Sequence, residues 1–229
     1  MLSVSRVDDF DLPGEADLKV YQRLWIRKIV GDRGGYRPRV LEIGPGTSVD
    51  LVDHLQFGEY WVLDAAPQWR RAGVRVIEGA LGEVALPRDY FDVVCSVSVL
   101  EHLQHEDWPA AAEALRSCLR RGGLSAHCID GKCRGRSGDH FEQMLLWKEF
   151  LLNTGLTWLD PPASLSSPSV FGDRGVWSMS EAAWRRWWAS PGDEWDQAGR
   201  PVSINLAMTR PRFSPRRVLY GINRRLQGA

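Results

Sequence analysis

The chain has 229 residues, with 29 basic and 29 acidic side chains and a formal net charge of zero. At 44% hydrophobic and 25% charged its composition is globular, which excludes a disordered or collagen-like chain, and its length supplies one domain with ample volume for a core. No run approaches about 18 apolar residues, and Met1 to Val20 lacks the basic–apolar–small order of a signal peptide. The expectation is a cytoplasmic protein without a membrane span.

In chain order, Leu18, Tyr21, Trp25 and Ile29 fall at helical spacing after Asp17, an N-cap type, and Gly31 is expected to stop that helix. Arg39 to Ile43 is a short apolar run that breaks at Gly44-Pro45-Gly46, and a helix then carries Val49, Val52 and Leu55 on one face. Tyr60 to Leu63 is a second run, ending in Asp64, and Val74 to Ile77 a third. Phe91 to Val97 is the fourth and leads into the polar Glu101-His102-Leu103-Gln104-His105. Asp107 with Pro109 marks a helix start, Leu115 and Leu119 hold one face, and Gly122-Gly123 is expected to end it. Leu124 to Ile129 makes a fifth run, ending at Asp130. Strands alternating with helices predict right-handed crossovers and an α/β fold: a doubly wound, mostly parallel sheet flanked by helices. Ligands of such sheets lie beyond the carboxyl ends of the strands, which here carry Gly44 to Gly46, Asp64, Gly79-Ala80, Ser96 to His102, and Asp130.

At Gly44 and Gly46 the missing side chains let a ligand press on the backbone, and the following helix start offers free N–H groups. Asp64, at the tip of the next strand, can accept two hydrogen bonds from a ribose diol. A dinucleotide dehydrogenase wants a third glycine where Val49 stands, and no Gly-Lys-Ser/Thr follows for a P-loop nucleotide hydrolase. The cysteines at 95, 118, 128 and 133 make no C-x-x-C pair and read as free thiols of a reducing compartment.

The blocks Val40 to Thr47, Asp64, Pro67, Gly79 before Leu86-Pro87, Tyr90 to Val94, Val99-Leu100-Glu101-His102-Leu103 and Leu119 to Gly123 occur in order over residues 38–130. Together they resemble class I S-adenosylmethionine-dependent methyltransferases of the small-molecule type, with a looser similarity to bacterial saccharide O-methyltransferases. The resemblance implies a Rossmann-like, seven-stranded sheet and S-adenosylmethionine as cofactor. It also implies roles for matched residues: Glu42 orients the glycine loop and approaches the methionine amino group, and Gly44 and Gly46 pass the cofactor along backbone. Asp64 holds the ribose, with Ala65 beside the adenine; Ala80 and Leu81 flank the adenine; Ser96 and Val97 border the methionine moiety. Ser48 stands where a third glycine is usual, and Ala80 where an acidic residue often reads the adenine amine.

Methyl transfer to a hydroxyl needs a base, and the candidates are His140, with Asp139 as orienter or cap, and His102. Asp139-His140-Phe141-Glu142 is also a capping box, and a histidine in a first helical turn favours its neutral form. His127 falls inside the fifth strand and reads as a core residue. Asp130 and Asp139 are candidates for holding a divalent cation such as Mg²⁺ that would acidify the acceptor.

The carboxyl-terminal third is expected to set the acceptor. Gly155 to Asp160 and Val202 to Met208 can complete the sheet, and Ser178 with Glu181 forms a capping box ahead of Trp184, Trp187 and Trp188, which share one helical face. That stripe fits core packing, a homodimer contact, or an aromatic wall for a sugar. Residues 1–115 carry 19 acids and 12 bases against 10 and 17 in 116–229, with seven arginines and no acid from Gln197 onward. The expected partition within one domain is a helical segment (1–37), a cofactor core (38–130), an acceptor-determining segment (131–209) and a basic tail (210–229). The expected activity is O-methylation of a small molecule, either a saccharide or a glycosylated or acidic metabolite. The alternatives are transfer to a phenol, carboxyl or nitrogen, an RNA methyltransferase recruited by the tail, and an inactive scaffold. Ser96-Val97-Ser98-Val99 lacks the Asn/Asp-Pro-Pro-Tyr type of block that a nucleic-acid methyltransferase would carry.

Overall fold

A computed structural model describes residues 16–47, 50–68, 70–133, 150, 153–159, 176–194 and 200–212. Its elements in order are α1 (Leu18–Arg33), β1 (Arg39–Ile43), α2 (Asp50–His54), β2 (Glu59–Asp64), β3 (Val74–Glu78), β4 (Phe91–Val97), α3 (Trp108–Cys118), β5 (Leu119–Cys133), β6 (Thr157–Trp158), β7 (Val176–Ser178), α4 (Glu181–Trp187) and β8 (Arg200–Thr209). The sheet order is β3-β2-β1-β4-β5-β8-β6, and a short additional strand, β7, pairs with β8. β1 to β5 pair in parallel, whereas β8 runs antiparallel to β5, β6 and β7. This is the Rossmann-like, mostly parallel, doubly wound sheet expected from the alternating runs.

Both faces of the central strands are buried, which is why those strands read as continuous apolar runs. On one face, Trp25, Ile26, Ile29 and Val30 of α1, with Leu51 and Val52 of α2, pack on Val40, Val62, Val93 and Ala126. On the other, Ala111, Ala112, Leu115 and Cys118 of α3 pack on Leu41, Leu63, Val94 and Ile129. The register sets Ile43 beside Leu63 and Ser96, and Ser96 beside His127, so the carboxyl ends of these strands reach one level.

Several boundaries differ from expectation. α1 runs through Gly31 to Arg33, because burial of Ile29 and Val30 outweighs the roughly 1 kcal/mol helix cost of glycine. Asp17 does occupy the N-cap position, but its Oδ1 accepts from Trp188 Nε1 at 2.9 Å and caps no helix amide. α3 ends at Cys118, ahead of Gly122-Gly123, since Leu119 already pairs with Phe91 on the neighbouring strand. The cap of α4 is Ser180, which accepts from the Ala183 amide at 3.2 Å, because Ser178 belongs to β7. The tryptophan stripe divides. Trp184 is buried with Leu18, Tyr21, Met179 and Ala183, while Trp187 is 54% exposed.

His127 is a core residue, as its place in the fifth run implied. It is fully buried, with Ser96 Oγ 2.7 Å from Nδ1 and Ser125 Oγ 2.7 Å from Nε2. Burial pushes its pKa down to about 3. The neutral ring therefore contributes stability that is present above about pH 6.5 and is lost as pH falls from there toward 3. His127→Leu would leave two buried hydroxyls without their partner. The expected loss is about 2–4 kcal/mol in thermal or denaturant unfolding at neutral pH, with a smaller difference from wild type at about pH 4.5.

Cys95, Cys118 and Cys128 are free and buried, and burial pushes each thiol upward. Among the described residues no helix is long and apolar enough to cross a membrane. Of the arginine-rich tail, Arg210 bonds the Ser117 and Leu119 carbonyls and pairs with Asp89, so it closes the sheet's far end. Residues 213–229 lie outside the described residues, as do Ser48, Val49, Asp139 and His140.

Candidate active site

The register brings β1, β2 and β4 to one level, and the chain leaves β1 through Gly44, whose φ is +61° and whose N–H donates to the Leu63 carbonyl at 2.7 Å. A Cβ placed on Gly44 would meet a Val99 methyl at 2.7 Å. The glycine thus lets the turn after β4 close on the loop after β1. Gly46 also has φ +61°, but a Cβ there would meet nothing within 4 Å, so this side of the loop is an open cradle. The two positions should respond differently. Gly44→Ala is expected to lower unfolding free energy by about 2–3 kcal/mol through overpacking and strain. Gly46→Ala should cost about 1 kcal/mol from its positive φ, with its larger effect on ligand affinity; differential scanning and ligand calorimetry separate the two.

Asp64 closes the cradle. Its Oδ2 accepts from the Gly46 amide at 3.0 Å and its Oδ1 from the Ala66 amide at 2.9 Å. A carboxylate offers about four acceptor sites, so two remain for a vicinal diol presented above the loop. Beneath the loop, Glu42 is 4% exposed and accepts from Tyr60 Oη at 2.7 Å, while burial and that carboxylate push the Tyr60 phenol well above its ordinary value. Glu42 therefore ties β1 to β2 under the glycine turn.

On the other side, Gly79 donates to the Asp64 carbonyl at 2.9 Å, and a Cβ on Gly82 would meet the Ala111 amide nitrogen at 2.8 Å. This locks the 79–84 loop onto α3. Leu81 is buried; Ala80 is partly exposed, and its amide donates to Glu83 Oε2 at 3.4 Å. The acidic group missing at position 80 is thus present three residues later, bound to the loop backbone. Ser96 faces the core, where its hydroxyl serves His127, so only its backbone can border a ligand. Val97 and Ala65 stand at the strand ends, partly buried and exposed respectively.

A polar cluster missed in the sequence reading sits at the ends of β4 and β5. Asp130 accepts from Lys19 Nζ at 2.7 Å, Gln22 Nε2 at 2.6 Å and Ser98 Oγ at 2.6 Å, and Lys19 also donates to Ser98 Oγ. The Asp130 amide donates to Glu101 Oε1 at 3.1 Å. Both oxygens of Asp130 are thus held by an ammonium, an amide and a hydroxyl. Among the described residues, no group of three or more His, Cys, Asp or Glu is placed to hold a metal ion. Asp139, the other residue considered for a cation, lies outside the described residues. Lys19 and Gln22 were invisible as site residues because only the return of α1 over the sheet end brings them there. His102 and His105 are exposed on the 3₁₀ turns Leu100–His102 and His105–Asp107, with His105 packed against Trp108.

A doubly wound sheet with a glycine cradle after β1 and a carboxylate of spare acceptor capacity at the tip of β2 has the strand-end arrangement of enzymes that bind nucleotide-type cofactors. A family model described as a methyltransferase domain matches residues 18–192, and the chain belongs to that family. It is an S-adenosylmethionine-dependent methyltransferase.

Solved structures share the fold. An S-adenosylmethionine-dependent methyltransferase from Mesorhizobium loti is 14% identical, with a TM-score of 0.53 over 82% of this chain and 98% of that one. The N-methyltransferase NodS from Bradyrhizobium japonicum is also 14% identical, with a TM-score of 0.50 over 88% and 98%. A geranyl diphosphate methyltransferase in complex with GPP and sinefungin is 12% identical, with a TM-score of 0.55 over 84% and 78%. A comparison with curated protein sequences finds no match. The residues present fit the cofactor: Gly46 leaves the cradle open, and Asp64 keeps acceptor capacity above it. The cofactor supplies the electrophilic methyl group, and the protein supplies alignment and proton handling.

Proposed function

We propose that this methyltransferase acts on a hydroxyl of a small molecule, a saccharide or glycosylated metabolite, with residues 1–229 forming one domain. The observation that carries this reading is the exposed Trp187. α4 leans on the start of α1 through the Trp188–Asp17 hydrogen bond and the buried Trp184, and two residues beyond Asp17 Lys19 reaches the ends of β4 and β5. An indole that is 54% exposed, with Arg186 over one side of its ring at 5.0 Å, keeps an apolar face for a pyranose. Cofactor recognition by Gly44, Gly46, Asp64 and the backbone at Ala80, Leu81 and Ser96 belongs to the same proposal.

The test is a panel of glycosides incubated with the enzyme and S-adenosylmethionine labelled in its methyl group, read by mass spectrometry. Label on a sugar hydroxyl is the expected result, with Trp187→Ala raising KM about tenfold and leaving kcat within about threefold. Label found only on phenols, carboxylates or nitrogen would overturn the acceptor assignment.

A further inference from the structure

Glu101 lies on the turn that closes over Gly44, two residues beyond Val99, and its side chain is turned inward. Its two oxygens are unequal. Oε1 accepts the Asp130 amide, whereas Oε2 is buried and has no hydrogen-bond partner among the described residues. A carboxyl oxygen shielded from water in this way calls for a donor brought by a ligand. The neighbouring Asp130 is saturated by Lys19, Gln22 and Ser98, so that network holds Glu101 in place and leaves Oε2 as the free acceptor. His102, on the same turn, is exposed instead.

We propose that Glu101 is the general base of the reaction, taking the acceptor hydroxyl's proton on Oε2, and that Asp130 is its positioning residue. As the acceptor oxygen bonds to the methyl carbon, its proton passes to Oε2. The carbon–sulfur bond breaks, with its electron pair left on sulfur. The sulfonium charge and the carboxylate charge disappear together, so the site ends the step neutral. Burial first, and the Asp130 charge second, raise the Glu101 pKa to about 7, where a carboxylate is both available and basic enough for this task. The charged groups facing it are Asp130 from β5 and Lys19 from α1, the latter opposing the shift. The inference rests on the hydroxyl reading of the acceptor.

The test needs no acceptor. Sinefungin carries an amine where the cofactor carries its transferable methyl, and S-adenosylhomocysteine carries nothing there; the methionine ammonium is common to both. Calorimetric titration of the full-length wild-type chain should show sinefungin affinity falling at least tenfold between about pH 8 and pH 5.5, as Glu101 takes up its proton. S-adenosylhomocysteine affinity should stay within about threefold over the same range. In Glu101→Gln, which keeps the shape and the Asp130 contact, the sinefungin pH dependence should vanish. Equal loss for both ligands would place Oε2 on the methionine ammonium, and pH-independent sinefungin binding by wild type would remove Glu101 from the transfer axis; either overturns the proposal. The wild-type titration does not depend on the variant's folding. A failed glycoside panel beside a positive titration would overturn only the acceptor class.

Discussion

Asp64→Ala is expected to weaken S-adenosylmethionine binding at least 100-fold in calorimetric titration. Two contributions add. In the proposed mode of cofactor binding the ribose diol loses its charge-assisted bonds to the carboxylate, each worth about 1.5–3 kcal/mol when the acceptor is charged. The apo loop also loses its anchor, because Oδ2 holds the Gly46 amide and Oδ1 the Ala66 amide. Part of the binding free energy would then be spent on ordering the glycine turn. Asp64→Asn separates the two contributions: an amide keeps one acceptor oxygen and introduces a donor, so about a tenfold loss is expected. Retention of affinity within about twofold in the alanine variant would remove Asp64 from the cofactor site.

Most of the sheet was legible in the sequence because β1, β2 and β4 are buried on both faces and spell out apolar runs such as Phe91 to Val97. The cradle was legible for a related reason. Gly44 and Gly46 both take φ +61°, which an L side chain rarely adopts, so the backbone geometry shows directly in the residue type. Less legible were boundaries decided by tertiary contacts. Gly31 carries a local stop signal that packing of its neighbours overrides, and Leu119 joins a strand because Phe91 waits beside it. Least legible was the Lys19–Gln22–Ser98–Glu101–Asp130 cluster, whose members are separated by up to 111 positions. Periodicity places Lys19 and Gln22 on α1 but carries no sign that the first turns of α1 cross the ends of β4 and β5. The Glu101-His102 pair drew attention to its histidine, the more familiar base. In the structure the histidine faces solvent and the carboxyl faces inward.

An inward carboxyl should leave a thermodynamic mark independent of catalysis. The folded-state pKa of Glu101 is raised to about 7, from an ordinary value of 4.5, chiefly by burial. A carboxyl shifted upward binds its proton more tightly when folded. Its contribution to stability is therefore fully present below about pH 4.5 and declines as pH rises from there to about 7. At 1.36 kcal/mol per unit, the decline amounts to about 3 kcal/mol. Glu101→Gln cannot ionise and keeps an oxygen toward the Asp130 amide, so it escapes this loss. The variant is expected to be about 2–3 kcal/mol more stable than wild type in denaturant unfolding at about pH 8. At about pH 4.5, where the wild-type side chain is protonated when folded, the difference should shrink to within about 0.5 kcal/mol. Equal stability of the two proteins at about pH 8 would mean that the carboxylate meets no burial cost. A gain in stability accompanied by loss of the sinefungin pH dependence is the signature of a group kept at a folding cost because its chemistry needs it. An inert buried glutamate would show the first effect without the second.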